Sequence, residues 1–80
     1  MVNAMKVLYF AHIKHKLKKE SDTFEVSSMS VEAFKAMLYE QYPEIKDETF
    51  QVAVNEEFVR DTDMIEPQDV VALIPPVSGG

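Results

Sequence analysis

Only one stretch of this chain can form a helix of any length, and that limits the fold more than any other feature. Ser30 offers a hydroxyl to the free amides of a first turn, and Glu32 stands where the helix dipole favours an acid. Val31, Phe34, Met37, Leu38 and Tyr42 then recur at spacings of three and four, which makes one apolar stripe. Pro43 ends the helix, because its ring disfavours a helical residue before it. The other apolar residues fall in short β-branched and aromatic runs. One helix must therefore pack on one sheet, in two layers.

Those runs order the sheet. Lys6 to Ala11 (KVLYFA) reads as a first strand. In the HIKHKLKK segment after it, Ile13 and Leu17 are spaced to rest a short helix on the core. Thr23 to Val26 is a second strand, with Phe24 and Val26 on one face. Phe50 to Val54 is a third, and Asn55-Glu56-Glu57 turns it into Phe58-Val59 as a hairpin. Asp61 to Asp69 is a polar connection in which Met64 and Ile65 plug the bottom of the core. Val70 to Ile74 (VVALI) is almost wholly apolar, the pattern of a central strand covered on both faces. A central last strand must pair with the first. The expected class is α+β: a β-grasp, with a mixed curled sheet on one main helix and a short helix after the first strand. Residues 1–74 form this single domain, and 75–80 form a flexible tail.

Charge and composition exclude several functions. The first nineteen residues hold Lys6, Lys14, Lys16, Lys18 and Lys19 with no acid, while the remainder sets three bases against all fourteen acids. A net charge of −6 disfavours nucleic-acid binding, which depends on neutralising phosphates. The lysines read as a solvated helix face, and the acidic majority suits partners with basic docking surfaces. With 0 cysteines there is no disulfide framework, thiolate metal site or cysteine nucleophile. No apolar run approaches the roughly 18 residues of a membrane helix. Met1 to Ala4 lack the positive charge of a signal peptide, so a cytoplasmic protein with no membrane partner is expected. His12 and His15 lack a third ligand and sit among lysines, so no metal is expected there.

The end of the chain is the most informative part. Pro75 and Pro76 donate no backbone hydrogen bonds and stiffen the exit from the last strand. Val77, Ser78, Gly79 and Gly80 come next, with little bulk. Extended, the six residues after Ile74 reach about 20 Å, at roughly 3.3 Å each. Such an arm suits delivery of the Gly80 carboxylate into a narrow site of another protein, where the absence of a Cβ lets enclosing walls approach. A carboxylate so delivered can attack the α-phosphate of ATP, and the adenylate then opens to a sulfur nucleophile.

The opening KVLYFA, the hairpin AVNEEFV, the acid at Asp69 and above all the ending VALIPPVSGG resemble the ubiquitin-like sulfur carriers that form the small subunit of molybdopterin synthase. The resemblance runs from Met5 to the end, and Met1 to Ala4 precede the usual start. It implies that Gly80 is adenylated by a ubiquitin-activator-like adenylyltransferase using ATP, then converted to a thiocarboxylate. No cofactor is bound by the chain itself. The loaded tail, Pro75 to Gly80, would enter the large synthase subunit and give its sulfur to cyclic pyranopterin monophosphate, within a heterotetramer of two small and two large subunits. The chain would be closer to a tethered co-substrate than to a catalyst. Two alternatives stay open: a carrier for thiazole, cysteine or tRNA thiolation, and a protein-conjugated modifier.

The strand faces also suggest a docking surface. If Val7, Tyr9, Val52, Val54, Val71 and Leu73 face the helix, then Leu8, Phe10, Phe58 and Ile74 face away. One helix covers one face, so the other keeps an apolar patch. The resemblance implies partner contacts at Phe10, Phe58 and Ile74. Arg60, Asp61, Asp63, Glu66 and Asp69 are expected to form a polar rim.

Overall fold

The alternation of the apolar runs is realised as one sheet wrapped on one helix. The computed structural model describes residues 4–76. Their elements are β1 (Ala4–Tyr9), α1 (Ala11–Leu17), β2 (Ser21–Glu25), β3 (Met29–Ser30), α2 (Val31–Gln41), a 3-10 turn (Pro43–Ile45), β4 (Gln51–Val54), β5 (Glu57–Phe58), β6 (Met64–Ile65) and β7 (Val70–Ile74). The main sheet has the order β2-β1-β7-β4-β5, with β1 and β7 parallel and the other pairs antiparallel. The last strand is thus central and lies beside the first, as a β-grasp fold requires.

The inner face of the sheet supplies Met5, Val7, Tyr9, Val52, Val71 and Leu73 to the core. Against them pack Val31, Phe34 and Leu38 of α2, Ile13 and Leu17 of α1, and Ile45 and Ile65. Each large side chain taken fully out of water contributes about 1.5–3 kcal/mol, so this single layer of contacts carries most of the favourable free energy. Met37 and Tyr42, the outer members of the α2 stripe, are only partly buried.

The start of α2 is held more firmly than its cap residue alone could hold it. Ser30 Oγ accepts from the Ala33 amide at 3.1 Å, as expected. The Val31 amide donates to the Asp63 carbonyl at 2.9 Å and the Glu32 amide to the Asp61 carbonyl at 3.1 Å. Three donors that helix geometry would leave unmatched are thereby satisfied. The loop carrying those carbonyls is fixed by a two-stranded sheet in which Met29 pairs with Ile65 and Ser30 with Met64.

Several expectations are corrected. The first strand begins earlier and ends at Tyr9: Phe10 caps α1, and Ala11 already has a left-handed φ of 51°. The second strand runs Ser21–Glu25. The hairpin turn has two residues, Asn55 and Glu56, with Glu57 paired to Val54 in the strand. The Asp61 to Asp69 connection contains β6, and only Ile65 plugs the core; Met64 is 55% exposed because alternation along so short a strand sends neighbours to opposite sides. β7 is covered on its inner face, while Val70 on the outer face remains exposed. No helix among the described residues is long and apolar enough to cross a membrane.

Four side chains, two tyrosines, an aspartate and a lysine, lock the flank of the sheet to the end of α2. The Tyr9 hydroxyl donates to Asp22 Oδ2 at 2.8 Å, and the Tyr42 hydroxyl donates to the same oxygen at 2.6 Å. Lys19 Nζ donates to Asp22 Oδ1 at 3.2 Å and to the Tyr42 hydroxyl at 2.9 Å. Burial first, then the Asp22 carboxylate, pushes the Tyr9 hydroxyl far above its ordinary value. Burial also favours a neutral Asp22, but the hydrogen bonds from Tyr42, Tyr9 and Lys19 outweigh it and hold that carboxyl below the ordinary value of 3.8.

The lysines of α1 are a largely solvated face with two tethers. Lys16 reaches Glu48 at 3.0 Å and Lys14 reaches Glu20 at 3.2 Å. His12 Nε2 lies 3.2 Å from the Thr49 carbonyl. The helix ends at Lys18, whose φ of 58° is left-handed and whose amide donates to the Lys14 carbonyl. That conformation costs a residue with a Cβ roughly 1–2 kcal/mol and glycine almost nothing. Lys18→Gly is therefore expected to stabilise the fold by about 0.5–1 kcal/mol after the larger chain entropy of glycine is subtracted. Urea denaturation checks this, and a lower midpoint would show that Lys18 makes compensating contacts.

Candidate functional site

The outer face of the sheet is where the chain has no layer of its own among the described residues. Strand register puts Leu8, Ala72, Ala53 and Phe58 in one row across β1, β7, β4 and β5. The two central residues are small and the two flanking ones large, so the row is a trough. Val70 and Ile74 extend it along β7, and Phe10 closes one end. The result is a hollow of about 570 Å³ lined by Leu8, Phe10, Ala53, Asn55, Glu56, Phe58, Val70, Ala72 and Ile74. Phe58 is 62% exposed and Phe10 44%. Large apolar side chains gathered in an open concavity mark a site of association.

Each wall of the hollow is positioned by local chemistry. Phe10 has extended backbone, and its carbonyl accepts from the Ile13 and Lys14 amides at 3.1 and 3.3 Å. Its ring is held where β1 hands over to α1. Phe58 depends on the hairpin. Asn55 and Glu56 have φ of 51° and 71°, so both central residues are left-handed, as a type I′ turn demands. Asparagine tolerates this conformation, and here it also pins the turn to β7. Its amide donates to the Val70 carbonyl at 2.8 Å, its Oδ1 accepts from the Val70 amide at 3.1 Å, and its Nδ2 donates to Asp69 at 3.1 Å. Ile74 is the last residue of β7, half-buried, and leads directly into Pro75 and the exposed Pro76.

The three residues singled out from the sequence, Phe10, Phe58 and Ile74, are thus brought to one face and one concavity. The alanines of its floor and Glu56 at its edge were not singled out; register alone makes Ala53 and Ala72 neighbours, and no local pattern reveals it. Four acids of the expected polar rim hold hydrogen bonds within the fold. Asp61 receives Lys35 at 2.9 Å, Asp63 accepts from the Arg60 amide at 2.8 Å, Glu66 accepts from Ser28 at 2.7 Å, and Asp69 accepts from the Glu66 amide at 2.9 Å. Asp63 and Asp69 thereby brace their own loop, while Asp61 and Glu66 tie it to α2 and to the segment before β3. The remaining tail residues, Val77, Ser78, Gly79 and Gly80, lie outside the described residues.

Comparison with known proteins bears on this geometry. The chain is 37% identical to the molybdopterin synthase sulfur carrier subunit of Dictyostelium discoideum, with 100% of both chains covered. It is 35% identical to the subunit of that name from Chlamydomonas reinhardtii, over 95% of this chain and 98% of that one. Among solved structures, a Pyrococcus furiosus chain described as subunit 1 of molybdopterin converting factor superposes with a TM-score of 0.84 at 22% identity, over 92% of this chain and 98% of that one. Haloferax volcanii SAMP1 superposes at 0.80 with 22% identity, over 96% and 99% of the two chains. A chain of the Helicobacter pylori complex of subunits 1 and 2 of molybdopterin-converting factor gives 0.70 at 22% identity, over 96% and 99%. At that identity these structures establish the shared fold. The model of the ThiS family matches residues 7–80, and with relatives alike over their whole length, the chain belongs to the ThiS family.

Proposed function

We propose that this chain is the sulfur carrier subunit of a molybdopterin synthase and that Gly80 carries the sulfur. The observation that supports this most is the apolar hollow bounded by Phe10, Phe58 and Ile74, at the point where β7 passes into Pro75 and Pro76. A partner seated there is placed to receive the residues beyond Pro76. In this reading a ubiquitin-activator-like adenylyltransferase holds the chain and ATP. The Gly80 carboxylate attacks the α-phosphate, pyrophosphate leaves, and a sulfur nucleophile then displaces AMP to give the thiocarboxylate. The large synthase subunit next docks on the same face. Pro75, Pro76, Val77, Ser78 and Gly79 thread the thiocarboxylate to cyclic pyranopterin monophosphate, which takes the sulfur, and water then adds to the acyl carbon and regenerates the Gly80 carboxylate. Catalytic side chains belong to the partners, the assembly is a heterotetramer, and the setting is cytoplasmic.

Docking is tested by the affinity of the purified chain for a large synthase subunit. A central aromatic anchor is worth about 2 kcal/mol on truncation, so Phe58→Ala is expected to weaken binding roughly 30-fold. Since Phe58 is 62% exposed, the same change should leave stability within about 0.5 kcal/mol. Binding unaltered by Phe58→Ala would remove the docking reading. Mass spectrometry of protein from its native cell addresses the chemistry: one oxygen replaced by sulfur at Gly80 supports a carrier, and an isopeptide bond to a lysine supports a modifier.

A further inference from the structure

The hollow is apolar except at one edge, and that edge carries a carboxylate. Glu56 lines it. Among the described residues Glu56 makes no side-chain hydrogen bond and no ion pair, whereas Asp61, Asp63, Glu66 and Asp69 are each engaged within the fold. Its neighbour Glu57 bears the same charge but does not line the hollow. Glu57 pairs with Val54, one of the core-packing side of β4, while Phe58 pairs with Ala53 on the floor of the hollow. Lys6 lies on the outer side of β1 two residues from Leu8, yet it too stays out of the lining. The edge of the concavity is therefore a lone negative charge beside exposed aromatic surface.

We infer that Glu56 determines partner choice at this face: the surface that fits it presents an apolar plug with a lysine or arginine immediately beside the plug. The inference rests on the docking reading above and adds to it the chemistry of the occupant. A plug that fills the hollow strips water from the edge of the concavity. A carboxylate losing that water without gaining a cation or a donor is destabilised, so a partner neutral or acidic at this point is rejected. A partner with a cation there gains a pair at the rim of an apolar contact, which acts on association rate and on discrimination more than on total affinity. The charge of the whole chain cannot do this, because a fourteen-acid background attracts any basic surface without regard to position.

The test measures affinity and association rate for a large synthase subunit with four proteins: unaltered chain, Glu56→Gln, Glu57→Gln and Phe58→Ala. Measurements are made at low and high salt, on the order of 0.05 and 0.5 M, where the screening length falls severalfold. Glu56→Gln is expected to weaken binding about fivefold at low salt, the upper range for a rim ion pair, and to flatten the salt dependence of the association rate. Glu57→Gln should match the unaltered chain. Both substitutions are on an exposed turn and edge strand, so each variant keeps its fold. If Phe58→Ala weakens binding while Glu56→Gln does not, the inference fails and the docking reading stands. If Glu56→Gln and Glu57→Gln weaken binding equally, diffuse charge is responsible and the inference fails. If Phe58→Ala binds normally, the docking reading fails and the inference falls with it.

Discussion

Removal of Gly80 is expected to abolish sulfur loading and to leave the unfolding transition where it was. The two halves of this result have separate causes. Folding draws on the core, whose last contributor along the chain is Leu73, at 0% exposure. Pro76 is already exposed, so shortening the chain beyond it removes none of the described packing. Loading, in the function proposed above, depends on the position of one acyl carbon. Deleting a residue shortens the reach of the terminal carboxyl by up to about 3.5 Å. A displacement of 1 Å from attack geometry can cost about a hundredfold in rate, so this shift leaves no productive encounter with the α-phosphate of ATP. The measurement is mass spectrometry of the chain after incubation with its adenylating enzyme, ATP and a sulfur source, beside release of pyrophosphate. A truncated chain that still gains sulfur would place the reactive group elsewhere and end the carrier reading at Gly80.

How much of this was legible beforehand depended on whether the signal was local. The α2 stripe from Val31 to Leu38, its Ser30 cap and the central position of VVALI were all readable, since each is set by period or composition within about a dozen residues. The facing of Phe10, Phe58 and Ile74 was readable from strand alternation. The trough between them was not, because Ala53 and Ala72 become neighbours only through the β4–β7 register. The β3–β6 ladder joins residues some 35 apart through two pairs, too short to leave an alternating pattern. Ile45, fully buried, sits in a polar run and is held inward by a 3-10 turn that Pro43 starts. The contacts of the rim acids were hidden for a different reason. Composition places acids on a loop but does not say which of them accept from the loop's own amides, as Asp63 and Asp69 do, and which from Lys35 or Ser28.

The same non-locality hid the polar lock on Asp22, whose loss is the second large effect expected. Tyr9 reads as a core residue, Asp22 as a turn former and Tyr42 as the end of a stripe; only the fold joins them on one carboxylate. Tyr9 is 2% exposed, so its hydroxyl has no water to fall back on. Asp22→Ala leaves that donor unmatched and removes the acceptor shared by Tyr42 and Lys19, and should cost about 3 kcal/mol, within the range for breaking hydrogen bonds to a partly buried charge. For a chain of this size the total is of order 4–12 kcal/mol, so the denaturation midpoint should fall by a quarter or more. Tyr9→Phe removes the donor along with its need and should cost only about 1 kcal/mol. In the Asp22→Ala background the same Tyr9→Phe change should be neutral or favourable, and that non-additivity separates a hydrogen-bond lock from simple loss of packing. The pH dependence has a definite sign. Asp22 is held below its ordinary value in the folded chain, so the folded state favours the ionised form more than the unfolded state does. Its contribution is complete above the unfolded value, near 3.8, and is lost as pH falls through the lower folded value. The stability gap between the unaltered chain and Asp22→Asn should therefore be constant near neutrality and close below about pH 4. A gap that widened on acidification would mean that the carboxyl is held above its ordinary value, and that burial, not the three donors, governs it.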